Sequence, residues 1–474
     1  MSGQQGYGDN DPIAALATAP GLAAIAVIRT SGAGCIEQLA KLFSRPNALL
    51  DCEGQRILFG KLHDGEGGVL DEVLLSVFRA PRSFTGEDSV EISCHGGSHI
   101  ARRILAVLTK AGIRQALPGE FSFRAFSNGK LDLTQAEAIM DLVASSSDTA
   151  RSHALRRLDG ELRRSIEELR DDLLIALAAC ELYLDYSEED ISLDPDDDET
   201  QGRLPRRDLV EGAIPRIAAL LDSWKRERLW IDGATVALAG APNAGKSSLF
   251  NRLLREERAL ISEEAGTTRD WLEARLVVDG IPLRILDTAG LRDNAGNIEK
   301  AGIERTRERL EEADLVLWLE DGSGIHADSS TRAIDNLGKA PDIRLWTKAD
   351  IAPPPPAGYL AVSAKSGMGI GELLAAVRER LEGERLEGER LEGGQGAATA
   401  ESRSPGVASE RQKDLLAQAK AALEETLERS DKGLPLDLVA PRLREAADAL
   451  GAITGEITTE DILDSLFGSF CVGK

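Results

Sequence analysis

No run of apolar residues approaches the roughly 20 that a membrane-spanning helix needs, so no segment is expected to cross a bilayer. The opening stretch "MSGQQGYGDN" is polar and lacks the apolar region of a secretory signal, and the expectation is a cytoplasmic protein. Cysteine is scarce. Cys35, Cys52, Cys94, Cys180 and Cys471 are scattered and odd in number, which argues against a disulfide framework and for a reducing compartment. Positive charge is also short: 56 Lys and Arg face 80 Asp and Glu, a formal net charge of −24. Part of the excess lies in "SEEDISLDPDDDE" (187–199), which reads as a solvated acidic loop. Such a chain has no whole-molecule field for nucleic acid, whose phosphates are held mainly by Lys and Arg. An RNA partner would need a local patch or a second protein. A zinc site is not indicated either, because "CHGGSH" (Cys94, His95, His99) fits no standard ligand spacing.

What the sequence does contain is organised in blocks, and its 474 residues suggest about three domains at roughly 150 residues each. Up to about residue 126, short β-rich runs such as "AAIAVIRTSG", "GQRILFGKLHD", "EVLLSVFRA" and "SVEISCHGG" alternate with turn residues, and a helical pattern spans about 98–110. From Leu131 to about Tyr186 the period is helical, with Thr134 and Glu137 at capping-box spacing, and it resumes from about Pro205 to Trp230. An α/β pattern follows to about Arg380. The leucines of "ERLEGERLEGERLEGG" advance about 140° per step and form no stripe, so 381–410 is expected to be a low-complexity linker. Helix returns to the end, with Thr458 and Asp461 as a cap for the final segment. The division is 1–126, 127–232, 233–395 and 396–474, the two helical parts forming one domain interrupted by the α/β insert.

The insert carries chemistry. "GAPNAGKSS" fits G-x-x-x-x-G-K-[ST] with Gly240, Gly245, Lys246 and Ser247, between a strand-like "ATVALA" and a helical "SSLFNRLLR". In that context backbone amides, from Asn243 and Ala244 through Ser248, cradle phosphates. Lys246 reaches the outer phosphates and the Ser247 hydroxyl binds Mg²⁺. "AGTTRD" then offers Thr267 and Thr268 to the Mg²⁺ shell, and "LRILDTAG" places Asp287 in the metal's outer shell, followed by Thr288, Ala289 and Gly290. "RLWTKAD" supplies Thr347, Lys348, Ala349 and Asp350, and "AVSAK" supplies Ser363, Ala364 and Lys365. An aspartate accepting from two guanine N–H groups would be stranded by adenine, which selects GTP. Four motifs in order, each after a strand, identify a GTPase. Yet Leu291 follows the "DTAG" stretch where Ras-like enzymes use glutamine, and no arginine finger is evident. Those groups are worth about 10³–10⁵ in rate.

Together, "GAPNAGKSSLFN", "AGTTRDWLEARLVVDGIPLRILDTAGLR", "FTGEDSVEISCHGG", "PGEFSFRAFSNGKLDLTQAEAI" and the terminal "FCVGK" closely resemble the MnmE (TrmE) family of tRNA-modification GTPases, over nearly the whole chain. The resemblance implies a multidomain fold: an α/β N-terminal folate-binding and dimerisation domain, a discontinuous all-α helical domain, and an inserted Ras-like α/β P-loop G domain. It implies GTP hydrolysis driven by K⁺-dependent G-domain dimerisation, and modification of C5 of the tRNA wobble uridine with a carboxymethylaminomethyl-type group. It further implies a partner, the flavoprotein MnmG carrying FAD, in a heterotetramer built on a homodimer, and a tetrahydrofolate derivative (5-formyl or 5,10-methylene) as one-carbon source. K⁺ would be held by Asn243, Ser262, Glu264 and Thr267, in a nucleotide-contacting loop that includes Glu263, Ala265 and Gly266, and Mg²⁺ by Ser247 and Thr268. Glu299 would orient the hydrolytic water, and Arg29, Glu91, Lys130 and Lys474 would contact folate. Read without the family, Asn243 is a turn residue, and Glu299, Arg29, Glu91 and Lys130 are surface charges.

There are departures. Thr347 stands where most GTPases have Asn, which is expected to weaken a base contact and a loop brace. In "SFCVGK", Cys471 is either a nucleophile or redox group or a small side chain in a folate-facing pocket, and the last helix is expected to aim this tail at the folate site. Two other classes fit parts of the sequence: a ribosome-assembly-type GTPase, which would call for a basic appendage absent here, and a folate-dependent one-carbon transferase gated by GTP.

Overall fold

The computed structural model describes residues 7, 11–186, 204–241, 243–256, 273–287, 313–324, 340–383, 406–470 and 472–473. Their contacts define two units. One comprises Met1–Met140, Ile166–Arg170 and Ala447–Lys474; the other comprises Asp141–Ser165 and Asp171–Ala446.

The first unit is built on β1 (Ile13–Leu16), β2 (Ile25–Ser31), β3 (Arg56–His63), β4 (Val69–Phe78), β5 (Ser89–His95) and β6 (Arg114–Gln115), in the order β3-β4-β5-β2-β1-β6. All neighbours are antiparallel except β1 with β6. The two-residue period of β4 turns Val73, Leu75 and Val77 into the core, while Leu74 between them faces outward. Helix Ser98–Lys110 lays Ala101, Ile104, Val107 and Leu108 on the covered face, a spacing that puts all four on one side of an α-helix. The four β-rich runs of the sequence are β2 to β5. β1 and β6, four and two residues long, carry too little periodicity to be legible.

Two helix starts differ from expectation. Asp132, not Thr134, caps helix Leu133–Ala144: its carboxylate accepts from the Gln135 amide at 3.0 Å, and the Gln135 side chain accepts from the Asp132 amide at 3.1 Å. Asp132 and Gln135 form the reciprocal pair, so Thr134 and Glu137 fall inside the helix and are buried. The last helix, Glu460–Gly468, has Thr459 and not Thr458 at its cap position, with no side-chain bond from Thr459.

In the second unit, the single helical stretch expected up to Tyr186 is broken. Ser147 caps Asp148–Leu158 by accepting from the Ala150 amide, and Gly160 at φ 79 separates it from Glu161–Tyr186. Helix Arg207–Ile231 packs against Glu410–Asp431 from the far side of the sequence. Arg207 pairs with Asp431 at 2.5 Å, and the Val407 amide donates to Ser223 Oγ at 3.0 Å.

Between those helices in sequence lies a second sheet of β7 (Ala234–Gly240), β8 (Glu273–Val278), β9 (Ile281–Asp287), β10 (Leu315–Asp321), β11 (Ile343–Thr347) and β12 (Tyr359–Ala361). Its order is β12-β11-β10-β7-β9-β8, parallel throughout except that β8 runs against β9. β7 and β10 are apolar along most of their length because both faces are covered. On one face lie Leu249 and Leu253 from helix Lys246–Glu256, with Leu373, Val377 and Leu381 from helix Ile370–Gly383. Leu381, four residues after Val377, extends that apolar stripe and is core, so the expected linker does not begin there. At its other end Val407 is fully buried; residues 384–405 lie outside the described residues. Among the described residues, no helix is long and apolar enough to cross a membrane.

Candidate active site

β7 ends at Gly240, where the chain leaves the sheet. Its φ is 147, and a Cβ would sit 2.3 Å from the Leu319 carbonyl oxygen of β10, so only glycine fits. Asn243 and Gly245 adopt left-handed conformations, φ 63 and 87, before helix Lys246–Glu256 begins. Such alternation turns successive backbone N–H groups to one side, and the helix start adds amides with no intrahelical acceptor. The product is an anion cradle. Lys246 Nζ donates to the Gly240 and Ala241 carbonyls at 2.9 and 2.8 Å, which holds its ammonium against the loop. Ser247 and Ser248 follow in the first turn.

The facing wall comes from the end of β11. Thr347 is buried, and its Oγ1 lies 2.8 Å from the Ala244 carbonyl oxygen and 2.9 Å from that of Glu320. With its one proton the threonine hydroxyl stands between the two carbonyls, a bridge from the phosphate loop to β10. Lys348, at φ 55, reaches Asp321 at 2.5 Å. Burial disfavours the charge on Asp321, but hydrogen bonds from Lys348 and Ser323 outweigh it and hold the carboxyl below its ordinary range. Asp350 is exposed at the rim and accepts from the Ser363 hydroxyl at 2.7 Å, a bond that keeps it below the ordinary carboxylate range and hence anionic. The Ala349 amide donates to Val362 at 3.1 Å and fixes this turn against the loop after β12. Between the two walls is a cavity of about 200 Å³ lined by Gly245, Ser248, Thr347, Lys348 and Asp350, with Ser363, Ala364 and Lys365 closing one side. Asp287 ends β9 in register with Leu238 of β7, which brings its backbone to the same edge of the sheet.

Ser262, Glu263, Glu264, Ala265, Gly266, Thr267, Thr268, Thr288, Ala289, Gly290, Glu299, Cys471 and Lys474 lie outside the described residues.

The first unit gathers the other predicted group. Arg29 on β2 and Glu91 on β5 are cross-strand partners, and Arg29 Nε and Nη2 donate to Glu91 Oε1 at 3.0 and 2.8 Å. The guanidinium lies 5.3 Å from the Phe84 ring centroid and 5.8 Å from that of Phe121. Lys130 Nζ donates to the Pro81 carbonyl at 3.2 Å, on the segment that carries Phe84. Phe84 is not an expected site residue: it opens the "FTGEDSVEISCHGG" stretch, but no spacing there points to Arg29. His95 bonds Asp71 at 2.7 Å, and buried Cys94 donates to the Ala26 carbonyl. Burial pushes the Cys94 thiol up to about 11. The tail returns to this unit. Phe467 and Phe470 are buried with Leu133 and Ala136, Val472 bridges to Pro118, and Gly473 at φ 99 abuts the Leu16 carbonyl. Leu16 neighbours Ala15, which pairs with Arg29 across the sheet.

A parallel sheet with one reversed edge strand, a phosphate loop after β7 and an ionised acceptor after β11 define a P-loop GTP-binding protein. The family model of the MnmE helical domain matches residues 133–471, and that of the GTP-binding protein TrmE N-terminus matches residues 12–130. A tRNA modification GTPase MnmE from Treponema denticola is 41% identical, covering 99% of this chain and 99% of the relative. Relatives of the same name from Thermus thermophilus and Aquifex aeolicus are 43% and 38% identical, each over 98% of this chain and 99% and 100% of their own. The chain belongs to the tRNA modification GTPase MnmE family.

Proposed function

We propose that this chain hydrolyses GTP to drive modification of C5 of the tRNA wobble uridine, adding a carboxymethylaminomethyl-type group together with the FAD-bearing flavoprotein MnmG. The observation that carries the reading is the meeting of the Gly240–Ser248 phosphate loop with Asp350 round one cavity, in a chain matched end to end by tRNA modification GTPases. An anionic acceptor suits the N1–H and 2-amino edge of guanine. Ser247 and Thr268 would hold Mg²⁺, and Asn243, Ser262, Glu264 and Thr267 would hold K⁺. When bound, these ions supply positive charge to the phosphates, K⁺ in the place of an arginine finger. Glu299 would orient the water. K⁺ would complete the site as two G domains, each inserted in its helical domain, meet.

The N-terminal unit fits a tetrahydrofolate derivative. Among the described residues Arg29 Nη1 and Glu91 Oε2 have no hydrogen-bond partner, so a donor and an acceptor stand side by side next to Phe84, matching the amide-like edge of a pterin. Lys130 and Lys474 would meet its anionic end. Ile57 and Phe59 on β3 are 66% and 58% exposed, and Leu74, paired with Phe59, is 45% exposed, an apolar face suited to a homodimer. Acidic overall, the chain would leave much of the tRNA contact to MnmG in a cytoplasmic heterotetramer.

The test is mass analysis of wobble uridines in tRNA from a deletion strain complemented by this gene or by its Asp287→Ala variant. Modification should return only with the wild type, and full modification by the variant would remove GTP turnover from the mechanism. Hydrolysis should also be several-fold faster in K⁺ than in Na⁺, and equal rates would eliminate the ion from the site.

A further inference from the structure

We propose that the segment from Arg124 to Asn128 is a positioning clamp for the loop 80–88, and that by fixing this loop it sets Phe84 against Arg29. The inference rests on the folate reading above and deepens it: neither clamp residue contacts Arg29, Glu91 or Phe84 in the hydrogen bonds that hold the loop, yet both determine where the wall of that site stands.

The segment from Arg124 to Asn128 holds the middle of the loop at two points. Asn128 Nδ2 donates to the Thr85 carbonyl at 2.8 Å, and Arg124 Nη1 lies 3.2 Å from Glu87 Oε2. Glu87 Oε2 also accepts from Ser31 Oγ at 2.8 Å. A serine hydroxyl has one proton, so in the 2.6 Å contact between Ser31 and Thr85 the donor must be Thr85. Donation thus runs from Thr85 to Ser31 to the Glu87 carboxylate, where it meets the bond donated by Arg124. Arg124 is 4% exposed, and its other terminal nitrogen donates to the Asp11 carbonyl at 2.9 Å. It is therefore an anchored post, not a mobile surface charge. Gly32 lets it pass, since a Cβ there would lie 2.8 Å from Nη1. Gly86, at φ 80, brings the loop so near that a Cβ would sit 3.2 Å from Asn128 Cβ. The loop between these holds presents Phe84, 38% exposed, to the Arg29 guanidinium at 5.3 Å. Arg29 is already fixed by Glu91 on one edge and by Phe121 on one face. Phe84 is the part of this wall that depends on a loop. Lys130 ties that loop at Pro81 and Arg79 ties it at Asp88; the clamp adds the holds nearest Phe84, at Thr85 and Glu87.

The experiment uses the full chain and three readouts. Asn128 is exposed, so Asn128→Ala removes one bond without opening a core; Asn128→Asp keeps the shape and loses the donor. First, the difference in tryptophan emission between Phe84→Trp and Phe84→Trp/Asn128→Ala, without ligand, should show a red shift as the side chain is released to water. Second, the Kd for 5-formyltetrahydrofolate, by calorimetry, should rise about tenfold in Asn128→Ala and in Asn128→Asp, because the loop must be ordered on binding. Third, melting temperature and GTP hydrolysis should match the wild type, which a merely structural role would not predict beside a lost affinity. Identical emission in the two tryptophan backgrounds, or an unchanged Kd in both Asn128 variants, overturns the clamp. If the wild type itself does not bind 5-formyltetrahydrofolate, the folate reading falls, and the emission comparison alone then decides the clamp.

Discussion

At the end of β7 the surface offered to a ligand is mostly main chain: amides aligned by Gly240, Asn243 and Gly245, with side chains as braces. In the N-terminal unit the corresponding surface is made of side chains from distant segments, Arg29, Phe84, Glu91 and Phe121, held by a buried web of ions. In that web Glu120, fully buried, accepts from Arg114 at 2.5 Å and from Arg124 at 3.2 Å, while Arg114 also reaches Asp11 at 2.7 Å. The two constructions fail differently. A main-chain site is destroyed by adding an atom where the backbone needs room; a side-chain site is destroyed by removing a charge that others rely on.

The largest effect is expected at Gly240. Gly240→Ala drives a methyl to 2.3 Å from the Leu319 carbonyl, so titration with a fluorescent guanine nucleotide should show no binding while the N-terminal unit stays folded. Glu120→Ala should do the reverse: it leaves Arg114 and Arg124 sharing a buried site without their common acceptor, at a cost of about 3–5 kcal/mol in urea unfolding, with nucleotide affinity unchanged. If either substitution damages both sites equally, the contrast between them is wrong. Thr347→Val keeps the volume and removes the hydroxyl that braces Ala244 and Glu320, and GTP affinity should fall by about 1–2 kcal/mol. An unchanged affinity would make the brace redundant.

The smallest effect is a pH dependence confined to the N-terminal core. Burial pushes the Cys35 thiol up from 9.0 to about 12. The folded chain therefore holds this proton more tightly than the unfolded one. That contribution is fully present below pH 9.0 and is lost as pH rises toward about 12. The urea midpoint should fall across that window, and Cys35→Ala should flatten the fall; parallel curves would show that the thiol stays ionisable when buried.

The same contrast explains what can be read in advance. Main-chain sites demand glycine, lysine and serine at fixed offsets, so Gly240, Gly245, Lys246 and Asp350 are legible from spacing between strands. The Arg29–Glu91 pair comes from residues 62 apart that meet only because β2 and β5 pair in one register, and no spacing encodes that; only the family resemblance points to it. Phe84 opens the "FTGEDSVEISCHGG" stretch that carries the resemblance, but neither route assigns it a place beside Arg29. The helical breaks at Ser147 and Gly160 are hidden because the apolar period runs on across them, and Asp132 is hidden as a cap because Thr134 and Glu137 offer the same spacing two residues later. Leu381 reads as part of the repeat it begins, when its place is set by the helix it ends.

The burial of Phe467 and Phe470 with Leu133 and Ala136, and the bridge from Val472 to Pro118, bear on the order in which the protein is made. A ribosome delivers the sheet of the first unit early, but the aromatic side chains that cover Leu133 emerge more than three hundred residues later. Throughout that interval the second unit is free to fold while the first keeps an apolar face uncovered. Completion of this core thus waits for the last helix, since only a polypeptide translated through Phe470 can cover that face.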